Sequence, residues 1–181
     1  YLWCITMQKQ LFITVFRMDI RFSQWFPVAS DSDLPFRHVF QAQLLGREYA
    51  IWRADDGHVN IWENRCLHRG VRLSIGINEG SELKCQYHGW RYANRTAGCT
   101  YIPAHPADAP SRTICNNTYQ SQEKYGMIWT CEFPNGAIPE IEGFNRYTVL
   151  RPIPINSACR NIEKFLVRFG IPNHRFIRTK D

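Results

Sequence analysis

The sequence predicts an all-β fold: a small antiparallel β-sandwich or barrel with one short helix near its C-terminal end. Three observations carry this. Short β-rich runs recur, separated by turn residues. Asp56-Gly57 sits between two of them, a strong two-residue hairpin signal. Helical spacing of apolar residues is nearly absent until residue 157.

The elements follow in order. Residues 36–45, 48–54 and 58–63 read as strands, the last two joined by Asp56-Gly57. In Val59-Asn60-Ile61-Trp62, apolar and polar residues alternate loosely, as on a half-buried strand. Further strands are expected over 82–85, 112–118 and 125–131. Pro103, Pro106 and Pro110 make residues 102–111 a loop, because proline removes ladder donors. Pro134 and Pro139, with Gly136 and Gly143, mark a second loop. Residues 157–169 are the predicted helix: Ala158, Ile162, Phe165, Leu166 and Phe169 fall at helical spacing, and Pro172 ends it. Trp25, Trp52, Trp62 and Trp129 are assigned to the core.

The chain of 181 residues is 44% hydrophobic, enough for one packed domain or one domain with a piece of another. Its net charge of +6 is uneven. Residues 1–17 contribute +2 and residues 160–181 contribute +4, while residues 18–159 balance 14 bases against 14 acids. The basic character belongs to the ends, so charge alone does not argue for nucleic acid. The apolar residues 11–16 are too few to span a bilayer and are followed by Arg17 and Met18 rather than small residues. No membrane segment and no signal peptide are therefore expected, and a cytoplasmic location follows. The 7 cysteines are an odd number, which does not suit a secreted disulfide framework.

Two short pieces carry chemistry. One is Cys66-Leu67-His68 within Arg65-Cys66-Leu67-His68-Arg69-Gly70; the other is Cys85-Gln86-Tyr87-His88-Gly89-Trp90. The pattern is C-x-H, sixteen residues, then C-x-x-H. Two thiolates and two imidazoles suit zinc or an iron–sulfur cluster. Zinc fingers usually group both Cys and then both His, whereas here each piece offers one of each. That suits a two-iron cluster with chemically different irons, one taking both thiolates and the other both imidazoles. Neutral imidazoles make such a cluster less negative and raise its potential to roughly −150 to +300 mV. Gly70 and Gly89 allow tight loops whose N–H groups point at sulfur, and Tyr87 and Trp90 are placed to shield the site. A structural zinc module remains the competing reading.

These residues and their flanks resemble the Rieske [2Fe–2S] domain at the N-terminus of the large subunit of Rieske non-haem iron oxygenases. Trp25-Phe26-Pro27-Val28-Ala29 is similar to the opening strand. Leu44-Leu45-Gly46-Arg47 with Ile51-Trp52-Arg53-Ala54-Asp55-Asp56-Gly57 is similar to the first hairpin. CLHRGVRLSIG over 66–76 and CQYHGWRY over 85–92 resemble the two cluster loops. Gly98-Cys99-Thr100-Tyr101-Ile102-Pro103-Ala104 and Tyr125-Gly126-Met127-Ile128-Trp129 continue the match, which covers about residues 21–150. The nearest flavour is the phthalate, vanillate and caffeine-demethylase-like branch, with Gln86 where that branch has Pro.

The resemblance implies that Cys66 and Cys85 bind one iron and His68 and His88 the other. It implies an electron donor, either a reductase or a ferredoxin. It implies a mononuclear iron in a catalytic oxygenase domain as acceptor. In the family that iron follows a helix reading roughly E-N-F-L-D-x-x-H-x-x-x-x-H. Here Ile162-Glu163-Lys164-Phe165-Leu166 begins the pattern, then Val167 replaces Asp, Gly170 the first His and Arg175 the second, with His174 adjacent.

The expected organisation is thus an unmatched extension over 1–17, a Rieske domain over 18–150, and the start of a truncated or frameshifted catalytic domain over 151–181. Met18 is the natural family start. This chain alone is expected to transfer electrons without oxygenation, and a homo-oligomer is compatible with it. A separately encoded Rieske subunit completing an oxygenase is the alternative. Arg69, Arg72 and Arg91 flank the loops as candidate docking charges for an acidic redox partner. Cys4, Cys99, Cys115, Cys131 and Cys159 are expected to be free or buried thiols, and His38, His58 and His105 ordinary strand or loop residues.

Overall fold

A computed structural model describes residues 2–7, 10–15, 24–107, 113–132, 136–141, 143–144, 147–153, 155, 157–168 and 176–177. In chain order the strands are β1 (Leu2–Met7), β2 (Gln10–Val15), β3 (Phe26–Ser30), β4 (Val39–Leu44), β5 (Arg47–Arg53), β6 (Val59–Glu63) and β7 (Ile77–Asn78). They continue with β8 (Glu82–Lys84), β9 (Arg91–Ala93), β10 (Cys99–Tyr101), β11 (Thr118–Lys124), β12 (Met127–Cys131), β13 (Tyr147–Val149) and β14 (Phe176–Ile177). The one described α-helix is α1 (Cys159–Arg168). The predicted all-β class therefore holds. The described strand pairs are antiparallel apart from the parallel β14–β2 pair.

The chain forms two compact units, Asp31–Gln122 and the remainder, Tyr1–Ser30 with Glu123–Asp181. In the first, β4, β5 and β6 form a meander whose turns are set by local chemistry. Leu45 (φ 56) and Gly46 (φ 79) make the two-residue turn between β4 and β5, both in the left-handed region as a type I′ hairpin requires. The Asp56-Gly57 turn closes on the Asp56 side chain, which accepts the His58 N–H at 2.9 Å. Strand β11 joins β6 at Thr118↔Trp62 and Tyr119↔Ile61. A second sheet has the order β10-β9-β8-β7.

These two sheets bury one core. Trp52 and Trp62 are fully buried and meet edge to face at 5.1 Å. Such a pair adds about 0.5–1.5 kcal/mol beyond its area term. Leu73, Leu83, Tyr92, Cys66 and Cys85 lie in the same cluster, so the ends of the candidate loops are part of the core itself.

In the other unit, β3 pairs with β12 and a separate sheet has the order β13-β1-β2-β14. Trp25 and Trp129 pack there with Met127, Ile138 and Phe144. Both indole N–H groups are satisfied by carbonyls, at Gly136 and Lys124 respectively, each at 3.0 Å. All four tryptophans assigned to the core are buried.

Several boundaries differ from the sequence reading. The strand expected over 112–118 is instead β11 at Thr118–Lys124, and residues near it make only an isolated bridge, Gly98↔Cys115. The segment TYQSQEK carries little apolar signal. Its strand conformation comes from main-chain pairing with β6, helped by the Ser121 hydroxyl donating to the Val59 carbonyl at 2.6 Å. Strand β4, expected from residue 36, begins at Val39, after the left-handed Arg37 at φ 62. Strand β12 begins after a turn at Tyr125 (φ 61) and Gly126 (φ 66). The helix is present over Cys159–Arg168, with Ile162 buried but Phe165 exposed, so its apolar face is only partly used. The expectations placed on Met18, Arg112, Pro110, Pro134, Phe169, Gly170, Pro172, His174 and Arg175 concern residues outside the described set. Among the described residues no helix is long and apolar enough to cross a membrane.

Candidate metal centre

The two loops repeat one backbone design. In the first, Cys66 N–H donates to the Val71 carbonyl and Gly70 N–H to the Cys66 carbonyl, both at 2.8 Å. In the second, Cys85 N–H donates to the Trp90 carbonyl at 2.8 Å and Gly89 N–H to the Cys85 carbonyl at 3.1 Å. Each loop thus returns on itself five residues after its cysteine. The fourth residue is a left-handed glycine, at φ 70 for Gly70 and φ 71 for Gly89. A side chain there would be strained, which explains the shared Cys-x-x-x-Gly spacing. The glycines' own N–H groups serve carbonyls, while other N–H groups of the second loop point at sulfur, as the sequence led us to expect. The N–H groups that reach Cys85 sulfur are those of Tyr87 and His88.

The four candidate ligands separate into two pairs. Cys66 and Cys85 are 3% and 2% exposed and their thiols lie against each other. His68 is exposed and His88 half-buried, with ring centroids 4.6 Å apart. Trp90 stacks on His68 at 4.9 Å and 4°, and Tyr87 lies against His88 at 3.8 Å. Trp90 is half-buried as a shield, but Tyr87 is largely exposed. Among the described residues no three His, Cys, Asp or Glu side chains converge on a single-ion position.

Electrostatics follow from this placement. Burial pushes the Cys85 thiol up, the Tyr87 and His88 N–H groups oppose it, and the neighbouring Cys66 adds to it. Two adjacent buried thiolates would therefore need a cation between them. Burial pushes the His88 imidazole down, and neighbouring His68 and Arg69 add to this, which favours the neutral ring with a free lone pair.

Tyr92, which the sequence reading did not single out, reaches the candidate site. Its hydroxyl accepts the Leu67 N–H at 3.2 Å and lies 3.1 Å from Cys66 Sγ. Burial, and then contact with Cys66, hold its pKa far above the usual phenol range, so it stays a proton donor. Either group can donate in the Tyr92–Cys66 contact, and the hydroxyl becomes the donor when the Cys66 sulfur is a thiolate. No sequence signal marks it; the β9–β10 register, with Tyr92 opposite Cys99, sets its place.

The flanking cations fall into two groups. Arg72 pairs with Glu48, and Arg91 with Glu79 and Glu82. Arg69 has no ion partner among the described residues. Of the remaining cysteines, Cys99 and Cys131 are buried and Cys115 is exposed, and none of the three is in a disulfide. The side chains of Cys4 and Cys159 lie outside the described set.

Two return loops thus bring a buried thiol pair up against an imidazole pair, one of whose rings is exposed. The chain belongs to the Rieske [2Fe–2S] domain family, whose model matches residues 24–122. The family's cofactor is a [2Fe–2S] cluster with imidazoles on one iron. The chain is 58% identical over 108 residues to "Oxidoreductase NdmD" of Pseudomonas putida, covering 60% of this chain and 18% of that protein. It is 30% identical over 118 residues to the phthalate 4,5-dioxygenase oxygenase subunit of Pseudomonas putida, covering 64% and 27%. Among solved structures, the reduced complex between oxygenase and ferredoxin in carbazole 1,9a-dioxygenase matches with a TM-score of 0.55 and 28% identity, covering 65% of this chain and 30% of that one. The chain spans less than a third of each of these relatives.

Proposed function

We propose that Cys66 and Cys85 hold one iron and His68 and His88 the other, and that the domain carries single electrons between protein partners. The buried thiol pair set behind a surface imidazole pair is the observation that supports this. When bound, the cluster supplies a one-electron redox couple. The chain's own residues do the rest. Tyr87 and His88 N–H groups and the Tyr92 hydroxyl stabilise charge on sulfur. The core behind the cysteines excludes water, and the exposed His68 edge gives partners a short path. The donor is a reductase or ferredoxin and the acceptor a non-haem iron oxygenase domain. Residues 18–150 form the Rieske domain, residues 151–181 the start of a catalytic domain, and described cysteines outside any disulfide suit a cytoplasmic setting. Anaerobic reconstitution followed by visible absorption and EPR tests the ligation: a Rieske spectrum is expected, and a colourless, EPR-silent zinc protein would end it.

One observation favours a second reading. The 58% relative is named an oxidoreductase, whereas the relative at 30% is an oxygenase subunit. Together with Val167, Gly170 and Arg175 in place of the oxygenase iron pattern, this supports a Rieske module of an electron-delivering oxidoreductase. Reduction by a flavin reductase and re-oxidation by a separate oxygenase would favour it. Substrate-coupled O2 consumption by the native protein carrying this domain would favour the first.

Tyr92→Phe is expected to keep the cluster and lower its midpoint potential. The hydroxyl stabilises the more negative reduced state, by on the order of 1 kcal/mol for one hydrogen bond. Protein-film voltammetry reads the shift, and an unchanged midpoint would remove Tyr92 from the cluster's hydrogen-bond set.

A further inference from the structure

Glu48 stands on β5, outside both cluster loops, yet it grips the first loop at both ends. Arg72 donates to it through two nitrogens, Nε to Oε2 at 2.9 Å and Nη2 to Oε1 at 2.8 Å. Arg65 Nη1 lies 3.0 Å from Oε2. The Glu48 main-chain carbonyl accepts the Asn64 N–H at 2.9 Å. Between Arg65 and Arg72 lie both candidate ligands of that loop, Cys66 and His68. The carboxylate is only 20% exposed, so the contacts are partly shielded from solvent. A bidentate arginine–carboxylate pair also fixes geometry in a way a lone ion pair does not. Asn64, fully buried, completes the belt: its amide donates to Ser74 Oγ at 3.0 Å and accepts the Ser74 N–H at 2.8 Å.

We infer that Glu48 is a positioning residue for the first cluster loop and that its charge, set against Arg65 and Arg72, tunes the midpoint potential of the bound cluster. The inference rests on the ligation proposed above. Two arginines and one carboxylate leave one net positive charge beside the loop. Removing the carboxylate leaves two, which favours the reduced and more negative cluster. Removing Arg72 leaves none, which favours the oxidised one. A purely mechanical clamp has no such sign, since loosening the loop from either side disturbs it in the same sense.

The test uses the reconstituted chain and its Glu48→Gln, Arg72→Gln and Glu48→Asp variants, with midpoints read by spectroelectrochemistry at low and high ionic strength. Expected are an upward shift for Glu48→Gln, a downward shift for Arg72→Gln and a return toward the parent value for Glu48→Asp. The shifts shrink as salt rises, because the groups are partly solvent-exposed. Shifts of the same sign in the first two variants, or none, overturn the inference. Should Glu48→Gln not retain the cluster, Arg65→Gln and Arg72→Gln must both lower the midpoint; failure of either to do so overturns it as well. A parent protein with no Rieske spectrum defeats the ligation instead, which keeps the two failures distinct.

Discussion

His68→Cys and His88→Cys are each expected to drop the cluster midpoint by roughly several hundred mV or to abolish cluster binding. Clusters ligated by two imidazoles lie at about −150 to +300 mV, whereas all-thiolate plant-type clusters lie near −400 mV. Each substitution replaces a neutral donor with an anionic one and so stabilises the oxidised state. The two sites differ in setting. His68 is exposed and flanked by the Trp90 face, while His88 is half-buried against Tyr87. The new thiolate at 88 is therefore the less solvated, and the larger drop is expected there. Cysteine is also shorter than histidine, so loss of the cluster is the second expected form of the effect, visible as loss of colour. His105→Ala, on an exposed loop, serves as the control with an unchanged midpoint. A variant at 68 or 88 with the parent midpoint would remove that histidine from the ligand set.

The site was legible in the sequence to the extent that it is built from local spacing. Cys66, His68, Cys85 and His88 sit on loops whose return is encoded within six residues each, so two short motifs announced them. The β4–β5–β6 meander was legible for the same reason, since Asp56-Gly57 and alternating apolar residues act over short range. What was missed is non-local or polar. Strand β11 is TYQSQEK, with no apolar run to read, and it exists because β6 offers it main-chain partners. Tyr92 reads as one more strand aromatic until the fold brings its hydroxyl to Cys66, twenty-six residues away. Glu48 is an unremarked acid in a hairpin until Arg65 and Arg72 close on it. Arg72 and Arg91, read as candidate docking charges, are engaged within the fold by carboxylates, which leaves Arg69 as the flanking cation without an ion partner among the described residues.

Gly76→Ala is expected to destabilise the domain by about 1–3 kcal/mol, the usual range for forcing extra volume into a packed site. It should also impair cluster loading. The cause is not backbone freedom, because Gly76 has φ −74, open to any residue. The cause is room. A Cβ placed there would sit 2.6 Å from the Lys84 carbonyl oxygen and 2.8 Å from the Leu73 carbonyl oxygen. Both obstacles are main chain, so no side-chain rotation relieves them. Lys84 immediately precedes Cys85, and Leu73 is fully buried at the end of the first loop. The added methyl therefore pushes apart the backbones that set the separation of the two cysteines. A change of one methyl group, with no charge or ligand altered, acts on the cluster only through that spacing. Urea denaturation of the cluster-free protein measures the stability loss, and iron and sulfide content after reconstitution measures loading. Gly70→Ala separates the two causes, since a Cβ there meets nothing within 4 Å and its penalty comes from φ 70 alone. It should therefore cost less stability than Gly76→Ala, and full loading of Gly76→Ala would show that the loop spacing tolerates the shift.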